Sequence, residues 1–301
     1  MMHLAGRGAA AFTAVAQRSI SMMMAAGQDS ARRMTTRRVL RLTAWGGAGL
    51  VGAGTAQAIH LRNSYVTPDE PKGHPHGTAG RDKKGRPLRL LFIGDSLCIG
   101  VGANYAAPLQ AACAERLAAV RGVPVVWRTI AKTGADVREL QALLAQRKSK
   151  AIIERGSWGV TSTADEGSFD IAVVMCGVND GKKLFEGRWP SVFRQDLEDL
   201  CVTLRKESPR GHIHVPQLPG YGAPLLQRWP MCYFVRHFFG PFEAAKEDLG
   251  GEHRVLSLSP PPERMPGPND THMWSHDGIH PSGEGYRIVG EWLGSALAHS
   301  S

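Results

Sequence analysis

An α/β fold with five parallel strands is what this sequence predicts, and two observations carry that reading. Short apolar runs of strand length alternate with longer segments of helical period between residues 88 and 299. That rhythm implies parallel strands joined by right-handed crossovers, with helices on both faces of the sheet. Two of the runs, Leu88–Ile93 and "FDIAVVMCG" (169–177), are also apolar at nearly every position, as strands covered on both faces must be. The length of 301 residues and the 43% hydrophobic content suit one good-sized domain with an appendage.

The elements follow in chain order. Leu88–Ile93 is a strand that breaks off at Gly94. Pro108 to Arg121 has Leu109, Ala112, Leu117 and Val120 at helical spacing, and Gly122 stops it. "VPVVWRTI" (123–130) reads as the second strand. Asp136 then caps a helix through "VRELQALLAQ", with Glu139 three residues on as in a capping box. The span 149–168 reads as irregular, and "FDIAVVMCG" (169–177) as the third strand. "SVFRQDLEDLCVTLRKES" is an amphipathic helix, "HIHVP" (212–216) a fourth strand, and "HRVLSLS" (253–259) a fifth. A helix from Ser282 to His299 closes the chain.

Residues 1–60 read as a leader outside the fold. The net charge of +9 is concentrated here: residues 1–68 hold eight arginines and one acid, leaving 28 basic and 26 acidic residues in the rest. The body is therefore nearly neutral, which argues against nucleic acid as its partner. Three readings of the leader stay open. Its Arg-, Ala- and Ser-rich, acid-poor composition suits a mitochondrial or plastid transit peptide. Arg37-Arg38, an uncharged run and Ala56-Gln57-Ala58 suit an export signal. An uncleaved anchor, giving membrane association through this segment, is the third, although five glycines make the run weakly apolar. Residues 61–86, with Pro68, Pro71 and "GRDKKGRP", read as a flexible linker, and His74 and His76 within it as solvated rather than metal-bound. The five cysteines (98, 113, 176, 201 and 232) contain no CxxC pair and read as free thiols, mostly buried.

In a doubly wound sheet, ligands bind beyond the carboxyl ends of the strands. The residues there are Gly94-Asp95-Ser96 after the first strand, "AKTGAD" with Gly134 after the second, Gly177-Val178-Asn179-Asp180 after the third, and "HDGIHP" with Asp277 and His280 before the final helix. A serine hydroxyl is a poor nucleophile unless an imidazole takes its proton, and a carboxylate can orient that imidazole. Asp277 and His280 are spaced to form such a pair, leaving Nε2 for Ser96. The backbone N–H groups of Ser96 and Gly134 and the amide of Asn179 could serve a developing oxyanion.

These four blocks, in this order over residues 88 to about 297, resemble those of the SGNH (GDSL) hydrolase family. The resemblance implies a domain over 87–301 folded as a flavodoxin-like three-layer α/β/α sandwich. It also implies ester hydrolysis through an acyl-serine, without metal or cofactor, on lipid, acetyl or small acyl esters. Ser96 would be the nucleophile, Asp277 and His280 its orienter and base, and Ser96, Gly134 and Asn179 the oxyanion hole. The chain departs from the family in lacking an asparagine near Gly134, where it reads "IAKTGAD", and in its long N-terminal extension.

Rival readings stand beside these. The same residues would support acyl transfer to an alcohol acceptor, and the same fold could serve a non-catalytic binder. His276 and His272 are rival bases with the wrong spacing. "GVGAN" (100–104) fails as a dinucleotide loop because Tyr105 stands at the third glycine's place. Residues 221–242 hold seven of the 21 aromatics, read as ordinary helix packing slightly ahead of an apolar wall for an acyl chain.

Overall fold

The structure is a computed structural model that describes residues 49, 51–61, 63–151, 168–217, 222–249, 255–258 and 269–300. The chain falls into two compact units, 1–60 and 61–301. Residues 51–60 of the first unit are helical, and no helix among the described residues is long and apolar enough to cross a membrane. Most of the leader, the core of the irregular span (152–167) and both ends of the expected fifth strand lie outside the described residues.

The second unit is a doubly wound sheet. Its strands are β1 (His76–Ala79), β2 (Leu88–Gly94), β3 (Val125–Ala131), β4 (Ile171–Met175), β5 (His212–Pro216) and β6 (Val255–Leu258). They lie in the order β1-β3-β2-β4-β5-β6. The five strands expected from the apolar runs are parallel to one another. Their order is the flavodoxin-like one, which reverses at β2.

The expectation of a purely parallel, five-stranded sheet needs correction. A sixth strand, β1, pairs antiparallel with β3 at the sheet edge, from His76 opposite Arg128 to Ala79 opposite Val125. It lies inside the stretch expected to be flexible linker. Of its four residues only Ala79 is buried, so an edge strand of this kind needs no apolar run and leaves no strand pattern in the sequence.

Helices α1 (Ser96–Ile99), α2 (Pro108–Arg121), α3 (Val137–Ala151), α4 (Val178–Lys182), α5 (Pro190–Glu207), α6 (Met231–Glu247) and α7 (Gly283–Ser300) complete the fold. Alternate residues of one strand enter opposite cores, as a two-residue period requires. Leu90 and Phe92 pack with Leu109, Leu117, Val289 and Leu293 of α2 and α7. Leu91 and Ile93 pack with Leu140, Phe193, Leu197 and Leu204 of α3 and α5. A strand feeding two cores must be apolar at consecutive positions, which is the pattern the sequence shows. The capping box forms as its spacing demands: the Glu139 N–H donates to Asp136 Oδ1 at 3.0 Å and the Asp136 N–H to Glu139 Oε2 at 3.2 Å. Four of the five free cysteines are buried, and Cys232 is half-buried.

The register brings strand ends level. Gly94 stands opposite Ala131 on one side and Met175 on the other. A side chain at 94 would sit 2.5 Å from Cys98 Sγ and 2.7 Å from the Met175 carbonyl, so only glycine lets the chain turn here. The loops after β2, β3 and β4 therefore open at one height, where the strand order reverses.

Candidate active site

Ser96 opens α1 directly beyond the strand end. Asp95 caps that single turn, its Oδ1 accepting the Leu97 N–H at 3.1 Å, and Gly100 in a left-handed conformation ends it. This geometry holds the Ser96 side chain at the rim of the sheet, 9% exposed.

His280 Nε2 lies 2.9 Å from Ser96 Oγ, and His280 Nδ1 lies 2.6 Å from Asp277 Oδ2. The other carboxylate oxygen, Oδ1, accepts the backbone N–H groups of Ile279 and His280 at 3.0 Å each. Burial would raise the Asp277 carboxyl, but the bonds from the His280 ring and from those two N–H groups outweigh it and hold it at about 2. An ionised Asp277 can only accept, so Nδ1 carries the proton and Nε2 is left to accept from the serine. The loop bearing both residues is pinned by the Ser275 N–H on the His280 carbonyl at 2.8 Å and by the Leu225 N–H on the Gly278 carbonyl at 3.0 Å. The "GVGAN" segment is tied to the start of α7, its Val101 carbonyl accepting from Tyr286 Oη at 2.8 Å.

Asn179, in α4 after β4, ties the strand-end loops together. Its Nδ2 donates to Asp95 Oδ2 at 2.8 Å and to the Ala135 carbonyl at 3.1 Å, and its Oδ1 accepts from Lys182 at 3.2 Å. Both amide hydrogens are therefore engaged. Burial raises the Asp95 carboxyl, opposed by the Leu97 N–H and the charges of Lys182, His280 and Lys246. Gly134 sits at φ +77° in a tight turn, with the Ala135 N–H on the Lys132 carbonyl at 3.1 Å and the Lys132 N–H on the Gly94 carbonyl at 3.3 Å. No atom lies within 4 Å of where a Cβ at 134 would point, so the turn's dihedral rather than crowding asks for glycine.

The structure thus brings Ser96, His280 and Asp277 into one hydrogen-bonded chain and sets Asn179 and the Gly134 turn beside Asp95. The rival histidines lie elsewhere: His276 is exposed and faces Ser275, and His272 is exposed. Asp180, beside Asn179, is fully buried and pairs with Arg188, a structural role.

The sequence model of the GDSL-like lipase/acylhydrolase family matches residues 92–288, about two-thirds of the chain and all four blocks. This chain belongs to that family. No curated protein matches it. Among solved structures, a lipase from a goat rumen metagenome shares 17% identity at a TM-score of 0.52, over 69% of this chain and 97% of that one. A lipase/acylhydrolase from Enterococcus faecalis shares 17% identity at a TM-score of 0.48, over 70% and 96%. A family two carbohydrate esterase from Clostridium thermocellum shares 15% identity at a TM-score of 0.49, over 71% of this chain and 65% of that longer one. The rumen lipase supports the fold of this GDSL-family member.

One residue at the site carries no signal in the sequence. Tyr65 Oη donates to Asp277 Oδ2 at 2.8 Å and lies 3.3 Å from His280 Nδ1. It belongs to no motif and falls outside the matched residues. The aromatic segment divides: Phe242 and Val235 of α6 are buried, as helix packing requires, whereas Trp229 is 72% and Tyr233 59% exposed. Tyr221 lies outside the described residues.

Proposed function

We propose that this GDSL-family hydrolase is a serine esterase acting on carboxylic esters, lipid, acetyl or small acyl, through an acyl-serine intermediate. The observation that carries this reading is the unbroken Ser96–His280–Asp277 chain at 2.9 and 2.6 Å. His280 Nε2 takes the Ser96 proton as Oγ attacks the ester carbon. The tetrahedral oxyanion is met by the N–H groups of Ser96 and Gly134. Asn179 joins them by trading its longer bond, to the Ala135 carbonyl, for the oxyanion. His280 then passes its proton to the leaving alkoxide, which departs as the alcohol and leaves the acyl group on Ser96. A water attacks the acyl-serine, His280 taking its proton, and the acid is released as Ser96 regains its hydrogen.

Asp277 stays ionised throughout. It fixes the tautomer and stabilises the imidazolium formed in each half-reaction.

A fluorophosphonate probe tests this directly. Stoichiometric labelling that vanishes in Ser96→Ala is expected. Labelling that persists in Ser96→Ala, or is absent from the native protein, would overturn the assignment.

A further inference from the structure

Tyr65 lies 212 residues before Asp277 and outside the part of the chain that carries the family blocks, yet its hydroxyl reaches the carboxylate of the relay. The hydroxyl has to be the donor there. Asp277 is ionised and can only accept, and Tyr65 keeps its proton because burial, then the bond to Asp277 and that group's charge, push the phenol upward.

The Asp277 carboxylate is thereby fully coordinated. Oδ1 takes two backbone N–H groups, and Oδ2 takes the His280 ring N–H and the Tyr65 O–H. Four donors on one carboxylate match its acceptor capacity.

The stretch bearing Tyr65 is itself held in place. The Tyr65 N–H donates to the Leu61 carbonyl at 2.8 Å. Five residues on, Glu70 Oε1 accepts from Thr133 Oγ1 at 2.5 Å, next to the Gly134 turn. The Pro75 carbonyl then accepts the Thr129 N–H at 2.7 Å, and β1 joins the sheet edge. Residues 65–79 therefore form a strap from the Asp277–His280 loop, past the Gly134 turn, to β3.

We propose that Tyr65 is a positioning residue of the relay, supplied by this N-terminal strap: its hydroxyl fixes Asp277 Oδ2 so that the carboxylate holds the His280 ring in line with Ser96. The proposal rests on the serine-esterase reading. Without the hydroxyl, Oδ2 keeps one donor fewer, so the carboxylate is both freer to rotate and more basic. The first effect lowers turnover. The second strengthens its hold on a protonated imidazole, so more alkaline solution is needed to free the base. Besides Asp277, the charged group that acts on the ring is Asp95, and Lys182 acts on both carboxylates; neither Asp95 nor Lys182 is altered by the change.

The test compares full-length native protein, Tyr65→Phe, Glu70→Ala and Ser96→Ala on p-nitrophenyl acetate across pH 5–9. Phenylalanine keeps the ring and removes only the hydroxyl. Tyr65→Phe is expected to lower kcat about tenfold with KM within about twofold, the scale of one charge-assisted hydrogen bond. The acid limb of its kcat profile should move upward by roughly half a pH unit. The downfield proton resonance of the His280 Nδ1–H should shift further downfield as its bond to Oδ2 tightens. Glu70→Ala leaves the phenol intact but frees the strap, and should move kcat and the acid limb in the same directions to a lesser extent. It carries the test should Tyr65→Phe not fold.

The proposal falls if a folded Tyr65→Phe keeps native kcat and acid limb, or gains activity, which would make the contact inhibitory. Native protein that neither turns over ester nor labels at Ser96 removes the esterase reading itself. Ser96-dependent labelling with an unaffected Tyr65→Phe removes only the role of Tyr65.

Discussion

Ser96 Oγ and His280 Nε2 are 2.9 Å apart although 184 positions separate them in the chain. Three features of the fold produce this meeting. Glycine at 94 ends β2 level with its neighbours. Asp95 caps the turn that presents the serine. The loop before α7 is pinned from both Ser275 and Leu225. A pair so enforced by separate elements acts as a unit. Ser96→Ala should therefore lower kcat on a short p-nitrophenyl ester by about 10⁴–10⁶-fold, with Asp277→Asn close behind at roughly 10⁴-fold because the amide admits the wrong tautomer. Steady-state kinetics on the purified variants decides it. Retention of native turnover by either would show that the geometry is not used.

Asn179 tests the oxyanion assignment more sharply. Its amide holds Asp95 and the Ala135 carbonyl in the resting site. If it exchanges the latter bond for the oxyanion, Asn179→Ala should cost about 10²–10³-fold in kcat with little change in KM. Because the same amide braces two loops, thermal melting should be measured alongside. A drop in kcat without a matching drop in melting temperature separates a direct role from loosened loops.

Much of the framework is legible in the sequence because its causes are local. Two-faced strands must be apolar at consecutive residues, and helix α3 carries its capping box in the four residues that start it. The Ser96, Asn179, Asp277 and His280 blocks are legible for a different reason: strand-end position converts separate short motifs into one place in space. What escapes reading has a tertiary cause. Strand β1 is mostly exposed and exists because β3 offers an open edge, so its Pro- and Gly-rich surroundings say nothing of pairing. Tyr65 has meaning only through a carboxylate 212 residues away. The double engagement of Asn179 likewise depends on loops whose shape no spacing reveals.

His214 should make the fold acid-sensitive. It is fully buried on β5, and neither ring nitrogen has a hydrogen-bond partner among the described residues. Burial, with a smaller effect from His212, lowers it from 6.5 to about 4. The unfolded chain therefore takes up a proton near pH 6.5 that the folded chain refuses until about pH 4. Stability is fully present above pH 6.5 and is lost as pH falls through that window, by about 2–3 kcal/mol at its lower end. Urea unfolding at about pH 7 and about pH 4.5, native against His214→Leu, checks this. The variant should lose less stability between the two pH values, and an equal loss would show that other groups govern the acid transition.

The aromatics that follow Leu225 in the chain give a prediction about substrate length. The segment bearing Leu225 is hydrogen-bonded to the Asp277–His280 loop through Gly278, and it leads directly into Trp229 and α6. There Phe234 stacks on Phe238 at 6.1 Å, and Phe238 meets the exposed Phe185 edge-on at 5.8 Å. Phe242 and Val235 provide the buried face of the helix and Phe238 packs partly buried against the same core as Phe242, whereas Trp229, Tyr233 and Phe185 stay exposed. Were these rings to line the path of an acyl chain, each added methylene would gain contact worth about 0.8 kcal/mol when fully buried. Trp229→Ala combined with Phe234→Ala should then lower kcat/KM on p-nitrophenyl decanoate several-fold more than on the acetate. Equal losses on both esters would instead assign these rings to holding α6 in place, since a misplaced helix disturbs the Leu225–Gly278 bond whatever the length of the substrate.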